Sequence, residues 1–456
     1  MSTLSTQFLQ NRAMRVLCAL LSVILLCALP GCRERGEAFS LPASYSESEV
    51  QQNDIDDIMS LLQNAEPQRE ITRDFLQWAC RELSPDFAAR LRQELESNGY
   101  EDALFFRLYG STLLVLHDLY SGAAEAESNI HLLPPAQAPL SLAFTGDINL
   151  SDTWENMLVL AKQENGIEDC ISAPLLQRMR QADILLVNNE FCFSDGGSAM
   201  PGKQYVFRAQ TKNVQILQQM GVDIVSLANN HVFDYGEDAF MDTLDTLRGA
   251  GIPYVGAGRD RAEAMLAQYF IAGGMKVAYV AASRAEKYIL TPEATDTQPG
   301  VLRCYDTALL LQAVETARQN ADVVVVYPHW GTENTTRLEE VQVELGRQLI
   351  DTGADLVIGA HPHCLQGIEF YQGRPIVYSL GNFWFNTATV DTALLEVTIE
   401  EPGSFSVVVQ PCLQRGGKTS LLTEESDRQR IFDHLIDISE NITISPQGLV
   451  LPAGLE

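Results

Sequence analysis

Basic residues are scarce in this chain: 31 Lys plus Arg stand against 60 Asp plus Glu in 456 residues, a formal charge of -29. So acidic a protein repels a phosphate backbone, which excludes general nucleic-acid binding and means that an anionic ligand needs a local positive site. Compositional bias is missing too. Hydrophobic residues at 46% and charged residues at 20% lie near globular averages, which excludes a disordered, collagenous or low-complexity chain. The nine cysteines contain no Cys-x-x-Cys pair, which disfavours a metal-thiolate cluster. No internal repeat of solenoid period is visible. What is there is an ordinary globular composition, and at roughly 150 residues per domain it suggests about three folding units.

The first 32 residues read as an export signal. Arg12 and Arg15 form a basic start, an apolar run extends from Val16 to Leu29, and the run closes on Leu29-Pro30-Gly31-Cys32. That ending resembles a bacterial lipobox, which implies cleavage before Cys32, lipidation of Cys32, and an extracytoplasmic protein anchored to the cell membrane by lipid. The other reading is an uncleaved anchor helix, although the run is shorter than the ~20 residues a span needs. Six cysteines would then remain unlipidated, Cys80, Cys170, Cys192, Cys304, Cys364 and Cys412, and an even number outside the cell permits disulfides. Residues 33–53 are polar and weakly patterned, as expected of a tether. Over 54–133 the spacing of Ile55, Ile58, Met59, Leu62, Phe75, Ala79, Leu83, Leu91 and Leu95 predicts a small helical region, closed by Pro134, Pro135 and Pro139.

Beyond that linker, short apolar runs alternate with helical ones, which predicts an α/β domain with a largely parallel sheet. Strands are expected at 140–145, 184–187, 224–227, 277–280, 323–327 and 356–358, with helices near 172–181, 211–220, 237–250, 306–319 and 337–352. A hairpin over 368–379 and β runs at 394–399 and 405–409 follow, and a strand and helix extension is expected over 401–456.

Chemistry gathers where the strands end. The runs close on Gly146-Asp147-Ile148-Asn149, Asn188-Asn189-Glu190, Asn229-Asn230-His231, Pro328-His329 and His361-Pro362-His363. Open α/β sheets bind ligands outside the carboxyl ends of their strands, so these residues are expected to share one crevice. Four of the seven histidines lie there. Oxygen and imidazole donors together suit divalent Zn, Mn or Fe, and the set is large enough for two ions.

With the motifs GDIN, NNE, LANNHVFDYG, HWGTE, GAHPHCLQGIE and YSLGNF in this order, the chain resembles the CapA family of poly-γ-glutamate capsule biosynthesis proteins over about residues 140 to 390. The resemblance implies a calcineurin-like metallophosphoesterase fold over 140–400, with two packed mixed sheets flanked by helices. It also implies a ligand set in which Asp147 and His363 hold one ion, Asn230, His329 and His361 hold the other, and Glu190 bridges them. Asn149 stands where the broader pattern has a ligating His, and Glu190 where it has an Asp. Asn is the poorer ligand, so the first ion is expected to be labile or absent, leaving one or two divalent ions.

His231 resembles the family's general acid, placed to protonate a leaving group beside a metal-activated water. Asp234 either orients it or caps the helix beginning near Glu237. Glu333 is a candidate partner of His329. Lys203, Arg208, Arg259, Arg284 and Lys287 are candidate cations for an anionic substrate, with Arg208 preferred, and Asn382 is expected either to reach the site or to shape a turn. Two function classes follow from the resemblance. One is a metal-dependent hydrolase, phosphoesterase-like or acting on γ-glutamyl amides, in polyglutamate capsule synthesis or export. The other is a non-catalytic accessory that binds polyglutamate or another anionic polymer for membrane synthase subunits. A purely structural role is disfavoured by the intact His231.

Overall fold

The computed structural model describes residues 129–133, 139–272, 275–286 and 291–454. The expected signal peptide, Cys32, the tether, nearly all of the helical region, Cys80 and Lys287 lie outside the described residues. The chain divides into two units, the first holding Met1–Gln137 and Ile271–Met275, the second the rest. Among the described residues the first unit contributes the short strand Ile130–Leu132. All that follows concerns the second.

Four parallel strands begin it: β1 (Leu140–Ile148), β2 (Ile184–Asn189), β3 (Ile224–Ser226) and β4 (Tyr254–Val255). A second sheet then forms from β5 (Met275–Ser283), β6 (Val323–His329) and β7 (Leu356–Ile358), also parallel, closed by the hairpin β8 (Ile368–Tyr371) and β9 (Arg374–Val377) in the order β5-β6-β7-β9-β8. The chain returns to the first sheet with β10 (Asn382–Trp384), β11 (Val390–Glu401) and β12 (Ser404–Arg415), of which β10 and β11 both pair with β1. The sequence reading set a boundary at 400. The chain crosses it inside the long β11–β12 hairpin, and β13 (Lys418–Leu421), β14 (Ile442–Ile444) and β15 (Leu449–Pro452) extend the same sheet, with the helix Glu425–Asp437 between β13 and β14.

Both sheets are mixed, and they meet face to face: the Phe144 and Tyr279 ring centroids are 6.5 Å apart, and the Tyr327 hydroxyl donates to the Thr145 carbonyl at 2.8 Å. Strand pleating decides what fills each face. Leu185, Val187 and Val225 join a core with Leu175, Met179, Leu217, Phe240 and Leu244 from the helices Ala173–Gln181, Val214–Met220 and Gly236–Gly249, so their neighbours Ile184 and Leu186 point the other way. The helices Ala308–Asn320 and Glu340–Thr352 do the same for β6 and β7, and the second starts in a capping box made by Glu339 and Gln342. Packed mixed sheets with helices outside are the architecture that the motifs implied.

A recurring device sets the strand starts. Asp183, Asp223, Asp322 and Asp355 each immediately precede a strand and accept a backbone N–H from the neighbouring strand, at Ser141 (2.8 Å), Leu185 (2.8 Å), Lys276 (2.8 Å) and Val324 (2.9 Å). Each carboxylate satisfies a donor at the strand's first residues, and so fixes register at the end of the sheet away from the motifs. Among the described cysteines all five are free, so no disulfide braces this unit.

Candidate functional site

Parallel pairing brings the motif residues level. Asp147 is opposite both Asn188 on β2 and Asn382 on β10, Ser283 is opposite His329, and His329 bridges to Ala360 just before His361. Gly146 is required by a close approach: a Cβ there would stand 1.8 Å from the Gly381 carbonyl oxygen, which accepts the Asp147 N–H at 2.9 Å. The His361-Pro362-His363 turn is strained, with φ of 99° and 58° at its two histidines. Left-handed backbone at a bulky residue costs roughly 1–3 kcal/mol and persists only where surroundings impose it. Here the Pro362 carbonyl accepts the Asn334 N–H at 2.8 Å and the Ala360 carbonyl accepts the Trp330 N–H at 3.0 Å.

Two sets of ligand atoms result, Glu190 with His329 and His361, and Asp147 with Glu190 and His363, each lying within 4.8 Å of one another. Glu190 belongs to both. Its Oε2 accepts from Asn188 at 3.1 Å, while Oε1 is buried without a hydrogen-bond partner, 3.8 Å from Nε2 of both His329 and His363. Such spacing is too long for a hydrogen bond and suits two donors that each stand ~2 Å from a shared cation. His361 Nδ1 is likewise buried and unpartnered. These orphaned atoms fit a divalent ion physically, because buried polar atoms otherwise find partners.

Electrostatics agree with that fit. Burial, followed by the Asp147 charge, pushes the Glu190 carboxyl well above its ordinary range. Burial and the neighbouring imidazoles hold His329 well below the usual histidine value and take His361 down to about 3, so both rings are neutral, as ligands must be. Burial alone would raise Asp147 and lower His363, but their mutual contact at 3.0 Å reverses both, leaving Asp147 low and His363 high.

His231 stands beside this cluster. Its Nδ1 is 2.7 Å from Asp234 Oδ2, which also accepts the Phe207 N–H at 2.7 Å, and Lys203 Nζ is 2.8 Å from Asp234 Oδ1. Asp234 therefore orients His231. The helix Gly236–Gly249 starts from Tyr235 with no side-chain cap, which removes the capping alternative. Asn230 Oδ1 faces His329 Nε2 at 2.8 Å, and its Nδ2 donates to Glu286 at 3.3 Å.

Other expectations fare differently. Asn149 spends its side-chain oxygen on the Ser151 N–H at 2.8 Å, closing the turn after β1, and the Nδ2 left unpaired is a donor that cannot ligate a cation. Arg208 donates to the Gly196 carbonyl and lies 4.5 Å over the Tyr235 ring, so it is committed locally. Arg259 pairs with Asp245 and Glu263, and Arg284 lies 4.7 Å over Tyr305. Of the candidate cations Lys203 is the one beside His231. Glu333 is exposed and does not bond His329, whose ring faces Asn188 at 3.3 Å and Asn230 instead, although its charge helps raise both Glu190 and His363. Asn382 does reach the site, with Oδ1 2.8 Å from His363 Nδ1. Two residues went unassigned: Asn188, whose Nδ2 serves Asp147 (2.8 Å) and Glu190 (3.1 Å), and Glu286.

Packed mixed sheets with carboxylates and imidazoles gathered at their strand ends define a metallophosphoesterase-like α/β protein. The family model described as bacterial capsule synthesis protein PGA_cap matches residues 141–387, over half of the chain, and the chain belongs to that family. It is 34% identical over 233 residues to the capsule biosynthesis protein CapA of Bacillus anthracis, covering 50% of this chain and 56% of that protein. Over 213 residues it is 33% identical to the PGA biosynthesis protein CapA of Bacillus subtilis, covering 46% and 55%. A Mycobacterium tuberculosis protein named as a polyglutamine synthesis accessory protein is 30% identical over 243 residues, covering 50% and 64%. The chain thus spans little more than half the length of the two Bacillus relatives.

Proposed function

We propose that this protein is an extracytoplasmic, lipid-anchored, metal-dependent hydrolase-like member of the capsule family, acting in poly-γ-glutamate synthesis or export, with His231 as general acid. The observation that carries the reading is Glu190: a buried carboxylate with an unpartnered oxygen, shared by two ligand sets beside an oriented imidazole. Asp147, Glu190 and His363 would hold one ion, and Glu190, Asn230, His329 and His361 the other. Bound divalent ions of the Mn, Zn or Fe kind supply Lewis-acid polarisation of a substrate oxygen and a nucleophilic water at neutral pH. The chain supplies the rest. Asn188 and Asn382 orient Glu190, Asp147 and His363, and His231, with its Nδ1–H held on Asp234, would take up a proton from solvent on Nε2 and pass it to the departing oxygen or nitrogen.

Among the described residues the candidate cations are engaged with protein partners, so an anionic polymer would be engaged at the metals through one group, a chain end rather than a long stretch. A second reading, a non-catalytic polymer-binding accessory of a membrane synthase, is favoured by the name of the Mycobacterium relative. One preparation separates the two. Elemental analysis of the protein from residue 33 onward, beside His361→Ala, is expected to give one or two metal equivalents that the variant loses, together with hydrolysis of a phosphodiester or of polyglutamate. Stoichiometric metal without turnover would support the accessory reading, and no metal would refute the ligand assignment.

A further inference from the structure

Lys203 is a cation with a buried side chain that no ligand set accounts for. Its side chain is 5% exposed, and its ammonium meets three acceptors: Asp234 Oδ1 at 2.8 Å, Glu286 Oε2 at 3.4 Å, and the Asn230 carbonyl oxygen. The ammonium is thus ion-paired with two carboxylates and hydrogen-bonded to a carbonyl, and at that burial Lys203 lacks the access to bind an anionic substrate. Its partners are instead the groups that aim the site. Asp234 is fully buried and holds His231 Nδ1 through its other oxygen. Glu286, at a left-handed φ of 50°, accepts from the Asn230 amide and thereby turns Asn230 Oδ1 toward His329 Nε2. Arg303 bonds the carbonyls of Ala285 and Glu286 and pins that strained loop from the other side.

Resting on the hydrolase reading above, we propose that Lys203 is the positioning residue for the proton donor, clamping Asp234 so that the His231 imidazole keeps its proton on Nδ1 and exchanges protons with substrate through Nε2. Asp234 without Lys203 would be a buried carboxylate held through Oδ2 alone, by the His231 ring and the Phe207 N–H, with no cation facing Oδ1. Such a carboxylate can turn about its Oδ2 contacts and let the ring flip, which blurs which nitrogen meets the substrate. Among the described residues His231 Nε2 makes no hydrogen bond, which leaves it open for that exchange.

The test is Lys203→Met in the full chain, read two ways. With metal bound, two phosphodiesters are compared, one with a good leaving group such as p-nitrophenol and one with an alkyl alcohol. A proton donor matters most for the poor leaving group, so kcat is expected to fall by about 100-fold for the alkyl ester and by less than about 5-fold for the nitrophenyl ester, with KM unchanged. Equal losses on both esters, or a rise in KM alone, would overturn the proposal. In metal-free protein, 15N NMR of the imidazoles is expected to show a single Nδ1–H tautomer at His231 in the wild type and mixed tautomers in the variant; an unchanged His231 spectrum overturns it as well. Lys203→Arg, which keeps the charge, is expected to restore the single tautomer and most of the alkyl-ester rate. A wild type that turns over neither ester refutes the hydrolase reading, while the tautomer measurement still decides the role of Lys203.

Discussion

The two ends of the parallel strands bury acidic groups under opposite conditions. At the amino ends, Asp183, Asp223, Asp322 and Asp355 each take a backbone N–H from the adjacent strand, and Asp355 adds Arg318 at 2.7 Å and Arg374 at 3.2 Å. At the carboxyl ends, Asp147 is paired with His363, while Glu190 beside it, flanked by the neutral His329 and His361, keeps an oxygen with no donor. Folding gains register from the first group and nothing comparable from the second. A buried acceptor left unmade costs roughly 1–3 kcal/mol, so the carboxyl ends hold free energy that a cation would recover. The amino ends keep the fold and the carboxyl ends keep the chemistry.

Glu190→Gln breaks the comparison hardest. In metal-free protein burial and Asp147 already hold Glu190 toward its neutral form, so replacing it with a neutral side chain of the same shape is expected to change unfolding free energy by less than about 1 kcal/mol. Metal affinity, followed by calorimetric titration, is expected to fall by more than about 100-fold, because the shared anionic ligand of both sets is gone. A large loss of stability in the metal-free variant would mean that Glu190 serves the fold, and the contrast between the two ends would collapse.

Asp355→Ala should show the converse. Asp355 is 4% exposed and holds two partly exposed guanidinium groups and the buried Val324 N–H, so its removal leaves that N–H unpaired. Urea unfolding is expected to report a loss of about 1–3 kcal/mol, the usual cost of leaving a buried donor unmade. Metal content and turnover per folded molecule are expected to stay at the wild-type level. A change in either would show that strand starts and strand ends are coupled through β6 and β7.

How much of this was legible in the sequence follows the same division. Every strand predicted from an apolar run exists, with ends shifted by a few residues, because buried parallel strands must be apolar on both faces. The strands β4 and β10 were not foreseen, and β13, β14 and β15 fall within the strand and helix extension expected over 401–456 without being placed one by one; all five are two to four residues long and take their place from pairing rather than composition. The rule that strand ends carry the chemistry found Asp147, Glu190, Asn230, His329, His361 and His363. It was not applied to β5, whose end leads through Arg284 to Glu286, and so Glu286 was missed although the same signal was present. The preference for Arg208 over Lys203 had no such signal to correct it. Lys203 sits on an irregular segment and Arg208 on a two-residue strand, and only tertiary contacts show that Arg208 packs on Tyr235 and Lys203 on Asp234.

Asp223 offers the finest test of the amino ends, because burial pushes its pKa up. Burial, reinforced by the neighbouring Asp183 and opposed by the Leu185 N–H, raises it to about 6. Its folded value lies above the ordinary unfolded value near 4, so this group's contribution is fully present below about pH 4 and is lost as pH rises through about 6. Asp223→Asn keeps an acceptor for the Leu185 N–H, which Asp223 takes at 2.8 Å, and removes the ionisation. The variant is therefore expected to be more stable than the wild type at pH 8 by on the order of 1–2 kcal/mol, allowing for partial solvent screening, and indistinguishable from it at pH 4. Thermal unfolding of both proteins across that range measures the difference directly. A constant gap would assign the gain to packing, and an inverted one would mean that the Asp223 carboxylate is as well satisfied in its charged form as Asp355.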